Sequence, residues 1–210
     1  MKQPFWQDRN VLITGATGFV GTYLTDRLLL EGANVVTIMR DFLPLSPFID
    51  SNVHLDVTVI RGDLSNRELV ERVISDYEID SVFHLAASTV VSIANAAPYP
   101  TIENNIKSTL NVLEAVRTYG KVRHTVVASS DKAYGELDDR RMYVESDPVN
   151  GLHPYDCSKS CTDLLAQSYA ASYNLPIAIS RCGNIYGGGD MNSSRLIPNT
   201  IRRLLRGTIP

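Results

Sequence analysis

Three glycines spaced three residues apart, Gly15, Gly18 and Gly21, sit directly after an apolar run and at the mouth of a helical stretch, and this junction most restricts the fold. Val11-Leu12-Ile13-Thr14 reads as a strand that stops at Gly15. Phe19 to Leu30 reads as a helix, with Gly32 in a C-cap position. A glycine-rich pattern alone says little. Strand, glycine turn and helix in that order say much more, because missing side chains let the backbone approach a phosphate at a helix N-terminus.

The rest of the chain keeps the same rhythm. Val35 to Met39, Val57 to Ile60, Ser81 to Leu85, Val122 to Ala128 and Pro176 to Ser180 read as further strands. Between them, Ser65 to Tyr77, Thr101 to Tyr119 and Tyr155 to Tyr173 read as helices. Ser65 with Glu68 predicts a capping box. A loop holds Pro44 and Pro47, and a polar loop runs from Glu136 to His153. After Gly187-Gly188-Gly189 the rhythm breaks, and Arg195 to Arg206 reads as one more helix. Strands apolar throughout, each followed by a helix, predict an α/β fold: a doubly wound parallel sheet of Rossmann type with helices on both faces. Ligands of such sheets sit outside the carboxyl ends of the strands, so the Gly15–Gly21 turn is expected to hold a dinucleotide.

Composition narrows the alternatives. The chain has 210 residues and a net charge of −3 with signs mixed, which is not the basic footprint of a nucleic-acid binder. No apolar run approaches the roughly 20 residues of a membrane span. The N-terminal residues lack an apolar signal core, so a cytoplasmic location is expected. Three cysteines make no disulfide framework. Cys157 and Cys161 lie four apart on one predicted helix but lack further zinc ligands, and no metal is expected.

Two positions bear on which dinucleotide binds. The end of the second strand falls near Met39-Arg40-Asp41. Asp41 there would bind ribose hydroxyls and favour NAD. Arg40 would meet a 2′-phosphate and favour NADP, and the balance leans slightly to NADP. Tyr155 and Lys159, four apart at a helix start, share one face. An ammonium beside a phenol lowers the phenol pKa, as a base that takes an alcohol proton requires. Ser129-Ser130 ends the fifth strand beside them.

Together these motifs resemble an extended short-chain dehydrogenase/reductase of the nucleotide-sugar epimerase and dehydratase group. The resemblance rests on TGATGFVG (14–21), GDL (62–64), HLAA (84–87), NIKST (105–109), SSDKAYG (129–135), YDCSK (155–159) and RCGNIYGGG (181–189). It implies that Gly15, Thr17, Gly18, Phe19, Val20 and Gly21 cradle the cofactor, with Arg40 near its adenosine end. Asp63 and Leu64 would contact the adenine, and Leu85, Ala86 and Ala87 would line the cofactor. Asn105 is placed with the cofactor residues, supporting the site from the long helix. Tyr155 would be the base and Lys159 would hold the nicotinamide ribose. Ser88, Asn184, Ile197 and Pro198 would meet a nucleotide-sugar substrate.

The reaction class turns on Ser130-Asp131-Lys132. A hydroxyl residue followed by an acid resembles the 4,6-dehydratases, where many carry Glu in place of Lys132. The Asp-Lys form, with Cys161-Thr162-Asp163, looks most like CDP-glucose 4,6-dehydratases, whereas Met39-Arg40 is similar to GDP-mannose dehydratases. The resemblance then implies hydride transfer from C4, removal of the C5 proton by Lys132 with pKa lowered by burial and cofactor charge, departure of the C6 hydroxyl assisted by Asp131, and hydride return to C6. Ser130 would bond the C4 oxygen. A 4-epimerase is the alternative. Residues 1–186 are expected to form the NAD(P)-binding domain and 187–210 the start of an incomplete substrate region, which leaves a cofactor-binding module without turnover as the non-enzyme alternative. The resemblance also implies a homodimer through the two long helices.

Overall fold

A computed structural model describes residues 4–42, 46–136, 141–190 and 192–208. Six parallel strands form one sheet in the order β3-β2-β1-β4-β5-β6. They are β1 (Asn10–Thr14), β2 (Asn34–Met39), β3 (Thr58–Arg61), β4 (Ser81–His84), β5 (His124–Ala128) and β6 (Ile177–Ser180). The helices are α1 (Phe19–Leu30), α2 (Pro47–Asp50), α3 (Arg67–Asp76), α4 (Val91–Ala96), α5 (Pro98–Tyr119), α6 (Pro154–Tyr173) and α7 (Leu196–Leu205). The doubly wound sheet expected from the sequence is therefore present.

Alternation along β1 shows how the layers form. Leu12 packs with Val70, Val73 and Ile74 of α3 and with Val112 and Val116 of α5. Its neighbours Val11 and Ile13 point the other way, to Leu28 of α1 and to Phe48 and Val53. A third cluster, Leu113, Val127 and Ala166, seats α6 against α5 and β5. Strand order reverses between β1 and β4, on either side of which the chain winds outward. That reversal opens a crevice above the carboxyl ends of the strands.

Three local readings need correction. The loop with Pro47 instead starts a short helix, because proline suits the first helical position, and a 3-10 turn at Val53–Asp56 follows. Pro44 lies outside the described residues. Residues 91–96 form α4, too short for its periodicity to register, and α5 begins at Pro98 rather than Thr101. The cap of α3 is Asn66, whose side chain accepts from Leu69 N at 3.1 Å. Ser65 is not the cap, since its own N–H donates to Asp63 Oδ1 at 2.8 Å. This Asx turn moves the helix start by one residue and breaks the capping box. Asn66→Ala is expected to cost about 1 kcal/mol, read as a lower urea midpoint with an unchanged slope.

Candidate functional site

The crevice is a groove of about 1020 Å³, slightly beyond the roughly 300–1,000 Å³ of ordinary ligand pockets. One end is the glycine turn. Gly15 has φ +76°, and a Cβ there would come within 2.8 Å of Ala86 N, so the turn and the β4 exit lie backbone to backbone. A Cβ on Gly21 would overlap the Gly15 carbonyl. No side chain caps α1, and its first turn carries no acid. Uncapped N–H groups and the helix dipole make this a fitting cradle for a pyrophosphate.

Gly15, Thr17, Gly18, Phe19, Val20 and Gly21 line the groove, as do Arg40, Asp63, Leu64, Leu85, Ala86 and Ala87. Ser88, Ser130, Asp131, Lys132, Tyr155, Lys159, Asn184, Ile197 and Pro198 line it too. Asn105 does not. It is 1% exposed and lies behind the wall. Its Oδ1 accepts from Ser88 N at 2.7 Å, and its Nδ2 donates to Ser158 Oγ at 2.9 Å. Ser158 Oγ in turn donates to Tyr155 O at 2.7 Å. Asn105 therefore supports the site and does not face the cofactor groove.

Arg40 is exposed and donates through Nε to Asp41 Oδ2 at 2.7 Å, with Asp63 Oδ2 at 3.7 Å from Nη1. The Asp41 bond holds the guanidinium pKa above its ordinary value. A hydrogen bond from Ser65 N holds the Asp63 carboxyl below the usual range, with Arg40 adding to it. Tyr23 Oη donates to Gly188 O at 2.8 Å, which draws the triple-glycine run against α1.

Tyr155 is buried, and burial pushes its phenol above the ordinary value. A Ser130 hydrogen bond opposes this, while Asp131 and Asp156 push the same way as burial. Lys159 is not among these leading influences. Its ammonium donates to Ala128 O at 2.7 Å, and burial lowers its pKa to about 8. The lowered phenol pKa expected from the sequence is thus not found, because desolvation outweighs the charges nearby. Lys132 is exposed, so the burial expected for it is also not found. Its N–H donates to Ser130 Oγ at 3.2 Å.

Two buried arrangements lie beneath the groove. Asp163 is 0% exposed and takes a two-pronged bond from Arg181, Nε at 2.8 Å and Nη2 at 3.0 Å. Ser129 Oγ donates to the same carboxylate at 2.7 Å. A sequence signal existed, since Asp163 falls four residues after Lys159 on the buried stripe of α6. His84, 2% exposed, contacts Thr14 Oγ1 at 2.8 Å and Thr109 Oγ1 at 2.9 Å. Burial, with Lys159 adding, lowers its pKa from 6.5 to about 3. Between those values the unfolded chain binds a proton that the folded chain does not. Stability is therefore expected to be intact above about pH 6.5 and to fall as the pH drops toward 3. The slope from this ring is about 1.4 kcal/mol per pH unit at most. Urea unfolding across that range, against His84→Gln, measures it.

Comparisons with known proteins agree with this geometry. A family profile described as "NAD dependent epimerase/dehydratase family" matches residues 11–210. CDP-glucose 4,6-dehydratase of Salmonella typhimurium is 33% identical over 209 residues, covering 94% of this chain and 58% of the enzyme. dTDP-glucose 4,6-dehydratase of Mycobacterium tuberculosis is 33% identical, covering 95% of this chain and 60% of the enzyme. The chain thus spans about three fifths of the length of these relatives. Among solved structures, a dTDP-glucose 4,6-dehydratase from Bacillus anthracis in complex with NAD superposes with TM-score 0.80 at 28% identity, covering 95% of this chain and 62% of that one. UDP-glucose 4-epimerase of Thermotoga maritima, with UDP-glucose, gives TM-score 0.84 at 28% identity over 95% of this chain and 64% of that one. No helix among the described residues is long and apolar enough to cross a membrane.

Proposed function

Since the chain belongs to the NAD-dependent epimerase/dehydratase family, we propose that its groove binds NAD beside a nucleotide-activated hexose and serves 4,6-dehydration to a 4-keto-6-deoxy sugar. The observation that carries this reading is the sharing of one groove by the glycine cradle, the Tyr155–Lys159 pair and the Ser130-Asp131-Lys132 run. When bound, the nicotinamide supplies reversible oxidation at C4.

The residues of the chain have separate tasks. Gly15, Gly18 and Gly21 with the α1 N-terminus hold the pyrophosphate, and Lys159 holds the nicotinamide ribose. Tyr155 takes the proton of the C4 hydroxyl, and Ser130 holds the C4 oxygen. Hydrogen bonding by Ser130 favours the phenolate, which suits a hydroxyl set beside both the base and the reacting oxygen. With C4 a ketone, the C5 proton is acidic. Lys132, with its amine unprotonated, takes it at the groove edge and gives a proton back to C5 as the hydride removed from C4 is returned to C6, and Asp131, when protonated, donates to the departing C6 hydroxyl. Asn184, Ile197 and Pro198 meet the nucleotide part of the substrate, with Ser88 nearer the sugar.

Incubating the chain with NAD and CDP-, dTDP-, UDP- or GDP-hexoses, with mass detection, tests the reading. Loss of one water supports it. An unchanged mass with inverted C4 supports the 4-epimerase alternative, which the Thermotoga neighbour keeps open. Binding of NAD with no product supports the binding-module alternative.

NAD is the cofactor we favour over NADP. Arg40 alone leans to a 2′-phosphate, but Asp41 and Asp63 already meet its charge, and two carboxylates repel a phosphate. NAD is expected to bind about tenfold more tightly than NADP by calorimetry, and Asp41→Asn to narrow that gap. Equal affinities would contradict this. The same reading makes exposed Leu110 of α5 and Leu164 of α6 part of a homodimer surface.

A further inference from the structure

His84 belongs to no catalytic step above, yet its buried ring bridges Thr14 of β1 and Thr109 of α5. The directions of its hydrogen bonds follow from its neighbours. The single Thr109 hydroxyl proton goes to Asn105 O at 2.8 Å. Thr109 Oγ1 must therefore accept from His84, which places the ring proton on Nε2. Nδ1 is then an acceptor, and Thr14 O–H donates to it. Thr14 Oγ1 meanwhile accepts from Ala86 N at 3.2 Å.

All bonds now run one way: Ala86 N–H to Thr14, Thr14 to His84, His84 to Thr109, and Thr109 to the Asn105 carbonyl. A second ring proton on Nδ1 would point at Thr14 Oγ1 and leave the Thr14 hydroxyl proton without its acceptor in a buried place. The chain starts at the wall that Gly15 touches and ends at Asn105. The Asn105 side chain carries the link onward through Ser158 to the Tyr155 carbonyl. Lys159 is the charged group that acts on the ring, and it disfavours a second proton there.

We propose that His84, fixed as the neutral Nε2–H tautomer, is a positioning residue that ties the Gly15–Ala86 side of the groove to the helix carrying Tyr155 and Lys159. The proposal rests on the reading of the groove as a dinucleotide site. Glutamine can keep the polarity, its carbonyl accepting from Thr14 and its amide donating to Thr109, whereas leucine keeps the volume and loses both bonds. Thr109→Val breaks the link without touching the ring.

The test combines NADH fluorescence titration with ring-nitrogen NMR on the 210-residue chain. Loss of a buried bond here is expected to weaken NADH binding about tenfold in His84→Leu and in Thr109→Val, while His84→Gln stays within about threefold. In the unaltered chain the ring is expected to show a protonated Nε2, a bare Nδ1 and no titration between about pH 4.5 and 8. Rescue by glutamine and the ring spectrum are readouts that a merely space-filling role would not produce. A ring that titrates near its ordinary pKa or carries its proton on Nδ1 overturns the proposal, and so does a leucine variant that binds NADH like the unaltered chain. So does a glutamine variant as weak as leucine. If leucine prevents folding, Thr109→Val and the ring spectrum still decide. Failure of the unaltered chain to bind NADH overturns the dinucleotide reading and the proposal with it. Binding that is equal in all variants overturns the proposal alone.

Discussion

Tyr155→Phe is expected to lower turnover of the nucleotide hexose by about 10²–10⁴-fold, the range for losing a positioned general base. NAD affinity should stay within about threefold, because only one hydroxyl is removed from a ring that is already buried. The loss should appear in kcat rather than in KM, since the phenol acts on the reacting proton and not on the nucleotide. Burial holds the phenol above its ordinary pKa, and the Ser130 hydrogen bond works against that. Ser130→Ala should therefore move the acid-side limb of the pH profile, where the base becomes protonated, to higher pH by removing a hydrogen bond that favours the phenolate. Full activity in Tyr155→Phe would contradict the whole catalytic assignment.

Arg181→Met is expected to cost about 3–5 kcal/mol of stability, the usual result of leaving a buried charge unpaired. Burial pushes the Asp163 carboxyl up, but bonds from Arg181, Ser129 and Gln167 outweigh it and hold the group below its ordinary pKa. Removing Arg181 takes away two of those bonds and leaves the carboxylate in a site with no exposure. Arg181 also donates to Tyr134 Oη and Glu145 O, each at 3.0 Å, and lies over the Tyr134 ring. The contacts of Tyr134 and Glu145 with this side chain are lost as well. Denaturant unfolding measures the loss. Asp163→Asn/Arg181→Met, with the charge gone, should recover part of it. A loss below about 1 kcal/mol in the single variant would show that the pair behaves like a surface ion pair.

How much was legible in the sequence depended on distance along the chain. Strands apolar on both faces, such as Val11 to Thr14, and the glycine turn after them could be read locally, and they place a groove at the strand ends without any knowledge of packing. Residues directly after those strands, Leu85 to Ser88 and Ser130 to Lys132, inherit their place from that rule, and all of them line the groove. Short elements were not legible. Residues 91–96 are too few for a helical stripe, and the Asx turn at Asp63 displaced the cap of α3 from Ser65 to Asn66. Environment was not legible either. Tyr155 and Lys159 share a helix face as their spacing predicts, but burial sets their pKa values and the Ala128 carbonyl holds the ammonium. Asn105 was assigned to the groove and lies behind it, because its partners Ser88 and Ser158 come from distant parts of the chain. His84 and Arg181 stood inside quoted motifs. Their roles emerged only when Thr109 and Asp163 were brought beside them.

The central claim joins three features in one groove: a dinucleotide cradle, a Tyr155 base and an Asp131-Lys132 elimination pair. Deuterium placed at C4 of a nucleotide hexose follows all three at once. With NAD present, the account predicts a product lighter by one water that carries the deuterium on its C6 methyl group. Deuterium found at C4 of an epimerised hexose, or cofactor bound with no product formed, would contradict it.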